Sequence, residues 1–348
     1  MCAYHRLMQN RALIPVVLIA VCASIAPVSG GARAPDGSRD FDFNFGTWRT
    51  HIARLAHPLT GSTKWLSYAG TVTVRKVWGG AANVEEIEAD GPGHLEIVNV
   101  RMFDPQSRQW SLNGADSADG TLGTPMYGEF QDGRGVFYDQ EAYHGRMVLV
   151  RQIFYGISAS AYSFQQAFSD DGGSTWQPNF TARLTRLSAT APSEGAQNVT
   201  DTSHDFDFNY GTWTTHITTP QGRMTGTVAV RKIWNGRAFL EEIEASGGSG
   251  GFQGLTLYLY DPQSRQWSQT YADRSDGTFE APAIGAFKDG RGVLIGPDRH
   301  AGKAVLTRDE WSDITANAHH FQIAYSDDGG RHWHPTFTAG LTRVGPGL

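Results

Sequence analysis

Apolar and polar positions alternate along most of the chain from residue 40 onward. The stretch from Asn179 to Arg186 is the clearest case. Phe180, Ala182, Leu184 and Arg186 share one face, and Asn179, Thr181, Arg183 and Thr185 share the other. A period of two marks a β-strand with one buried side. The same pattern returns at Phe337, Ala339, Leu341 and Arg343. Turn signals stand between such runs. "DPQS" places Asp first and Pro second, as a type I turn prefers, while "DGRG" and "DDGG" offer glycine where a hairpin needs positive φ. The runs between turns predict roughly nine or ten antiparallel strands in each half of the chain and no helix.

The halves are copies of each other. "DFDFNFGTWRTHI" (Asp40 to Ile52) recurs as "DFDFNYGTWTTHI" (Asp205 to Ile217), and "GTVTVRKVWGGAANVEEIEA" (Gly70 to Ala89) as "GTVAVRKIWNGRAFLEEIEA" (Gly226 to Ala245). "DPQSRQW" and "DGRGV" also occur twice. The offset is 165 for the first block, 156 for the second and 157 for the later ones, so the first copy carries a longer loop around His57 to Trp65. A polar stretch without periodicity, 189–203, reads as a linker between domains at 38–188 and 204–348. Each is long enough to bury its own core.

Composition adds an address and some exclusions. The first 34 residues read as a secretory signal: His5, Arg6 and Arg11 precede the apolar run "ALIPVVLIAVCASIAPV" and then small residues. The expected location is secreted or periplasmic, with no stable membrane span after cleavage. Cys2 and Cys22 are the only cysteines, and both would leave with the signal. Cys22 follows Val21, where a lipoprotein signal would carry a small residue. The mature chain then has no disulfide and no cysteine metal site. The net charge of −6 is interspersed and forms no basic stripe, which argues against nucleic acid as a partner.

"SDDGGSTW" (Ser169 to Trp176) and "SDDGGRHW" (Ser326 to Trp333) resemble the Asp-box turn known from sialidases and other β-propellers. Blades of a propeller repeat about every 40 to 50 residues. Here the box appears once per copy, without the several inward arginines at blade spacing that a sialic acid site would need. It reads as a hairpin turn, with Asp side chains bonding the turn's own amides.

Each copy also has Gly-x-Trp near its start, at Trp48 and Trp213, and an arginine closing its last strand, Arg186 and Arg343. This resembles the lipocalins and the broader calycin barrels, in which the arginine packs across the tryptophan and plugs one end. The resemblance implies structural pairs Trp48 with Arg186 and Trp213 with Arg343. The whole repeat looks still more like a bacterial family known only as a domain of unknown function and regarded as calycin-like. The expected fold is all-β: two tandem antiparallel calycin/lipocalin-like β-barrels.

Barrels of this size can hold one small ligand. Glu85 alternates with Ile87 and Ala89, which makes it the inward acid of "NVEEIEA"; Glu241 is its counterpart. Arg151 shares a face with Leu149 and Ile153, so it and its counterpart Arg308 are expected to point inward, as are Arg75 and Arg231. Val98, Val100 and Met102 are expected as the inward side of the fourth strand. Trp110 and Trp267, after the "DPQSRQ" turn, are expected to cap or line the pocket. Buried ionic groups either pair with one another or wait for a polar ligand. The leading expectation is a binder of a small hydrophobic or amphipathic molecule whose polar head is held by the inward Arg and Glu residues. One alternative is an enzyme of hydratase, isomerase or cyclase type, with Glu85 or Glu241 as general acid or base. The other is a structural or envelope-interaction module with filled barrels. His332 and His334 could form half of a metal site, but no third ligand is evident, so neither metal nor cofactor is expected. His51 and His216 read as outer-face residues.

Overall fold

The computed structural model describes residues 36–191, 204–248 and 250–346. The expected signal segment, both cysteines and most of the linker lie outside the described residues. The first copy forms ten strands: β1 (Gly46–Leu55), β2 (Trp65–Val77), β3 (Ala82–Asp90), β4 (His94–Asp104), β5 (Gln109–Asp116), β6 (Met126–Gln131), β7 (Arg134–Tyr143), β8 (Arg146–Tyr155), β9 (Ala161–Ser169) and β10 (Gln177–Ser188). The second forms β11 (Gly211–Thr219), β12 (Gly222–Ile233), β13 (Ala238–Gly247), β14 (Gly250–Asp261), β15 (Gln266–Asp273), β16 (Ala283–Lys288), β17 (Arg291–His300), β18 (Lys303–Ser312), β19 (Ala318–Ser326) and β20 (His334–Gly345).

Each set runs up and down and closes on itself, β1 pairing with both β2 and β10, and β11 with both β12 and β20. Closure satisfies every strand edge, so a sheet of this length needs no cover against edge pairing. The Asp-Gly turns are hairpins with both central residues at positive φ: Asp132 (51°) and Gly133 (72°), then Asp289 (52°) and Gly290 (74°).

Aromatic rings stop one end of each barrel. A single 3₁₀ turn, Asp42–Asn44, delivers Phe41 into the first barrel. Phe41 there meets Trp110 edge-on at 4.9 Å, Phe130 at 4.9 Å and Phe154 at 5.3 Å. Phe206 does the same against Trp267, Phe287 and Trp311. Arg186 lies 4.0 Å over the Trp48 ring and Arg343 lies 4.1 Å over Trp213. Each guanidinium also ties the entering chain to the barrel. Arg186 donates to the carbonyls of Phe43, Phe45 and Ala159; Arg343 donates to those of Phe208, Tyr210 and Ala316.

The barrels share a third apolar core, and it lies between them. Val84, Val98, Val100 and Met102 on the outside of β3 and β4 are buried against Leu240, Leu255, Leu257 and Leu259 on the outside of β13 and β14. The contact has a pseudo-twofold character. Gly120 packs on the Tyr260 carbonyl, and its counterpart Gly277 packs on the carbonyl of Phe103, the counterpart of Tyr260. Ser111 Oγ donates to the Gly277 carbonyl at 3.0 Å, and Arg237 pairs with Glu96 across the seam.

This core overturns one expectation. Val98, Val100 and Met102 face out of the barrel, and Leu95, Ile97, Asn99 and Arg101 of the same strand line its interior. Burying the outer face of β4 puts apolar residues on the side that would otherwise be polar.

Candidate functional site

Strand alternation places Glu85 of β3 inside the first barrel, one step above the aromatic plug. Its exposure is 5%. Arg101 of β4 donates to Glu85 Oε2, and Asn99 Nδ2 donates to the same oxygen at 2.8 Å. A second arm of Arg101 reaches Asn83 Oδ1 at 3.2 Å. The guanidinium lies over the rings of Phe41 (4.9 Å) and Phe154 (5.4 Å). Either charge alone would be strongly unfavourable here; together, with ring faces and amides around them, they form a charge-paired floor.

Above that floor Ile52, Ile87, Leu95, Phe164, Phe180 and Leu184 face the space, with Thr50 and Asp116 among them. Gln152 Nε2 donates to Gln166 Oε1 at 3.0 Å and makes one polar stripe up the wall. The cavity measures about 250 Å³, and Arg54, itself exposed, stands at its rim. That is close to the lower end of small-molecule pockets, roughly 300 Å³.

The second barrel repeats the geometry with other chemistry. Tyr258 takes the place of Arg101. Its hydroxyl donates to Glu241 Oε2 at 3.1 Å, and Asn209 Nδ2 donates to the same oxygen at 3.0 Å. Glu241 therefore has hydrogen bonds but no counter-charge, and burial raises its pKa. Glu280, Asp298 and Asp309 line the same cavity. Burial, assisted by Asp298, pushes Asp309 up to about 7, and burial pushes Glu280 up to about 9. His319, edge-on to Trp213 at 4.7 Å, is held down to about 3, by burial first and then by Arg343. The cavity measures about 110 Å³, and neither Lys nor Arg lines it among the described residues.

The four expected inward arginines are corrected. Arg75 is on the outer face of β2 and pairs with Glu86. Arg231 shares its outer face with Ile233, which is buried in the core between the barrels, and faces Glu242. Arg151 lies outside β8, its guanidinium 4.4 Å from the Trp176 ring, while Val150 and Gln152 point inward. Arg308 lies 4.7 Å from Trp333 in the same way and also meets Glu310 at 3.4 Å. The tryptophan of each Asp-box is thus the ledge for an external arginine. The box itself is held by Asp171, which accepts from Thr175 N at 2.9 Å, Thr175 Oγ1 at 2.7 Å and Ser169 Oγ at 2.7 Å. Those bonds hold its pKa down to about 2.

Trp110 and Trp267 neither cap nor line a cavity. Both are fully buried in the plug, and Trp110 Nε1 donates to the Gly37 carbonyl at 2.9 Å. His332 is exposed, and its Nδ1 meets Asp328 Oδ2 at 2.6 Å within the second box. His334 packs beside Tyr325, with ring centres 5.1 Å apart.

Solved structures align with this chain at low identity and low TM-score. A protein of unknown function from the DUF3598 family of Nostoc punctiforme is 10% identical, with 88% of this chain and 99% of that one aligned at a TM-score of 0.27. An S-type phycobiliprotein lyase from Guillardia theta is 10% identical over 42% of this chain and 90% of its own, at 0.31. The barrel EF1p2_mFAP2b bound to DFHBI is 11% identical over 41% of this chain and 100% of its own, at 0.25. No protein-family model matches the sequence, and no curated protein matches it. The chain is a tandem of two closed ten-strand antiparallel barrels.

Arg101, Asn99, Tyr258 and Asp309 were not singled out from sequence. Arg101 is flanked by Val100 and Met102, so the apolar residues drew the inward assignment. The signal that could have corrected it is Glu85, which needs an opposite charge on a neighbouring inward strand.

Proposed function

We propose that this chain is a secreted or periplasmic carrier or receptor for small amphipathic molecules, each barrel holding the apolar body of one ligand with its polar end towards the floor. The observation that carries this reading is the first-barrel cavity, about 250 Å³ with both apolar and polar side chains on its wall above Glu85, Asn99 and Arg101. Arg101 Nε meets no hydrogen-bond partner, and Gln152 and Gln166 add polar groups at the side. A neutral or zwitterionic head with both donors and acceptors suits a floor whose charges already cancel. Unfilled barrels also argue against a purely structural module. The basic and apolar N-terminal segment supports export.

A thermal-shift screen of amphipathic probes against the chain and its Ala182→Trp variant tests the reading. Ala182 is buried on the cavity wall, so an indole there fills the space. Probes bound in the first barrel should stabilise the parent and leave the variant unshifted. Equal shifts in both, or none in either, would count against a first-barrel site.

A catalytic role has one feature in its favour, and it lies in the second barrel: Asp309, with a pKa of about 7 inside a partly apolar cavity, is suited to proton transfer. Glu85 is not, because Arg101 and Asn99 occupy it. Consumption of a bound ligand by the parent but not by Asp309→Asn would favour this reading.

A further inference from the structure

The two cavities differ in charge at equivalent positions. Where the first barrel has Arg101, Leu112, Gly123 and Gln152, the second has Tyr258, Gln269, Glu280 and Asp309. The exchange replaces the one floor cation with a phenol and adds two carboxyls, while one amide is present in each set. Acid lining alone would mean little, since such groups can sit protonated and inert. The second observation is that acceptors here are unfilled. Asp309 is 6% exposed and its Oδ1 meets no hydrogen-bond partner; Gln269 is 8% exposed and its Oε1 meets none either. Both residues line the cavity. Buried acceptors of this kind are costly unless a donor arrives.

Water or an alcohol could donate, but neither carries a charge to match a carboxylate at Asp309. A primary ammonium brings three N–H donors and the missing positive charge. Met224, Ile243, Phe252 and Ile323 supply the apolar surface for the body that carries it.

We propose that the second barrel selects a protonated primary amine on a compact apolar body, with Asp309 and Gln269 accepting from its N–H groups. This rests on the ligand-binding reading above and names the ligand class for one of the two sites. It also makes the barrels unlike in preference: the first floor carries its own cation, and the second lacks one.

Calorimetric titration of the full chain at pH 7 with hexylamine, hexanol and hexanoate tests it, since the three differ only at the head. Hexylamine should bind about ten-fold or more tighter than hexanol, with hexanoate the weakest. Ala182→Trp, which closes only the first barrel, should leave that order intact. Asp309→Asn, and separately Asp298→Asn in case the first variant misfolds, should cut the amine preference to about three-fold or less. Hexanol binding the second barrel as tightly as hexylamine would overturn the amine selection while leaving ligand binding in place. Amine preference surviving in both folded acid variants would overturn it too. Absence of binding by all three probes to the Ala182→Trp chain would overturn both the selection and the idea that this barrel holds a ligand.

Discussion

Arg101 and Tyr258 occupy the same register position in the two barrels. Arg101 pairs with Asn83 across β3 and β4, and Tyr258 pairs with Phe239, the counterpart of Asn83, across β13 and β14. Both side chains reach the inward glutamate two residues further along the neighbouring strand, one as a cation and the other as a phenol. From one fold, a single exchange gives a charge-paired floor and an unpaired one.

The floors should respond differently to mutation. Arg101→Met leaves Glu85 buried without a cation and should destabilise the first barrel by about 3–5 kcal/mol. Arg101→Met combined with Glu85→Met should recover most of that loss. Glu241→Gln keeps a carbonyl oxygen for Tyr258 and Asn209 and should change stability by less than about 1.5 kcal/mol. Chemical denaturation followed by tryptophan fluorescence reads all three.

The raised pKa of Asp309 sets a pH signature. An acid held above its ordinary value favours the folded state at low pH, below about 3.8, and loses that advantage as pH rises through about 7. The parent should therefore lose stability relative to Asp309→Asn between these limits, by about 2–4 kcal/mol at pH 8. Melting curves from pH 4 to pH 8 on both proteins check the sign. A gap that is constant with pH would mean Asp309 ionises normally.

Much of this architecture is legible in the sequence. Repeats, turns and the alternation of β10 and β20 are enough to give two all-β barrels, because hairpin geometry and a one-sided core leave few alternatives. Glu85 and Glu241 are also legible, since Ile87, Ala89, Ile243 and Ala245 mark their faces. The arginines were misread for two physical reasons. Outside β2, β3, β4, β12, β13 and β14 the other barrel buries the wall, as at Val77 and Ile233 beside Arg75 and Arg231, so apolar residues occur on both faces and alternation loses its sign. On β8 and β18 the Asp-box tryptophans cover the outer face locally, so Leu149 and Ile153 beside Arg151 mimic a core side.

The glycines at the seam carry a prediction about cooperativity. A Cβ at Gly120, which has φ of 64°, would overlap the Tyr260 carbonyl, and one at Gly277, φ 61°, would overlap that of Phe103. Gly120→Ala or Gly277→Ala should cost about 2 kcal/mol or more and loosen the interface. Calorimetry should then resolve two transitions in place of one coupled event, while each barrel retains its far-ultraviolet spectrum.

At the plug, Arg186→Ala should remove the cation–π contact with Trp48 and three carbonyl hydrogen bonds, lowering stability by about 2–4 kcal/mol. Arg186→Lys should recover only part, because one ammonium cannot reach three separated carbonyls in a plane. Urea midpoints for the three proteins give the comparison.

On the proposed function, these barrels hold small molecules in their working state. Native mass spectrometry of the chain purified from the organism that encodes it reads this without choosing a probe. A discrete excess mass of a few hundred daltons should accompany the parent, and Ala182→Trp, folded to the same spectrum, should lose the first-barrel share of it. A parent that arrives at its bare polypeptide mass under conditions that preserve known carrier–ligand complexes would contradict the account.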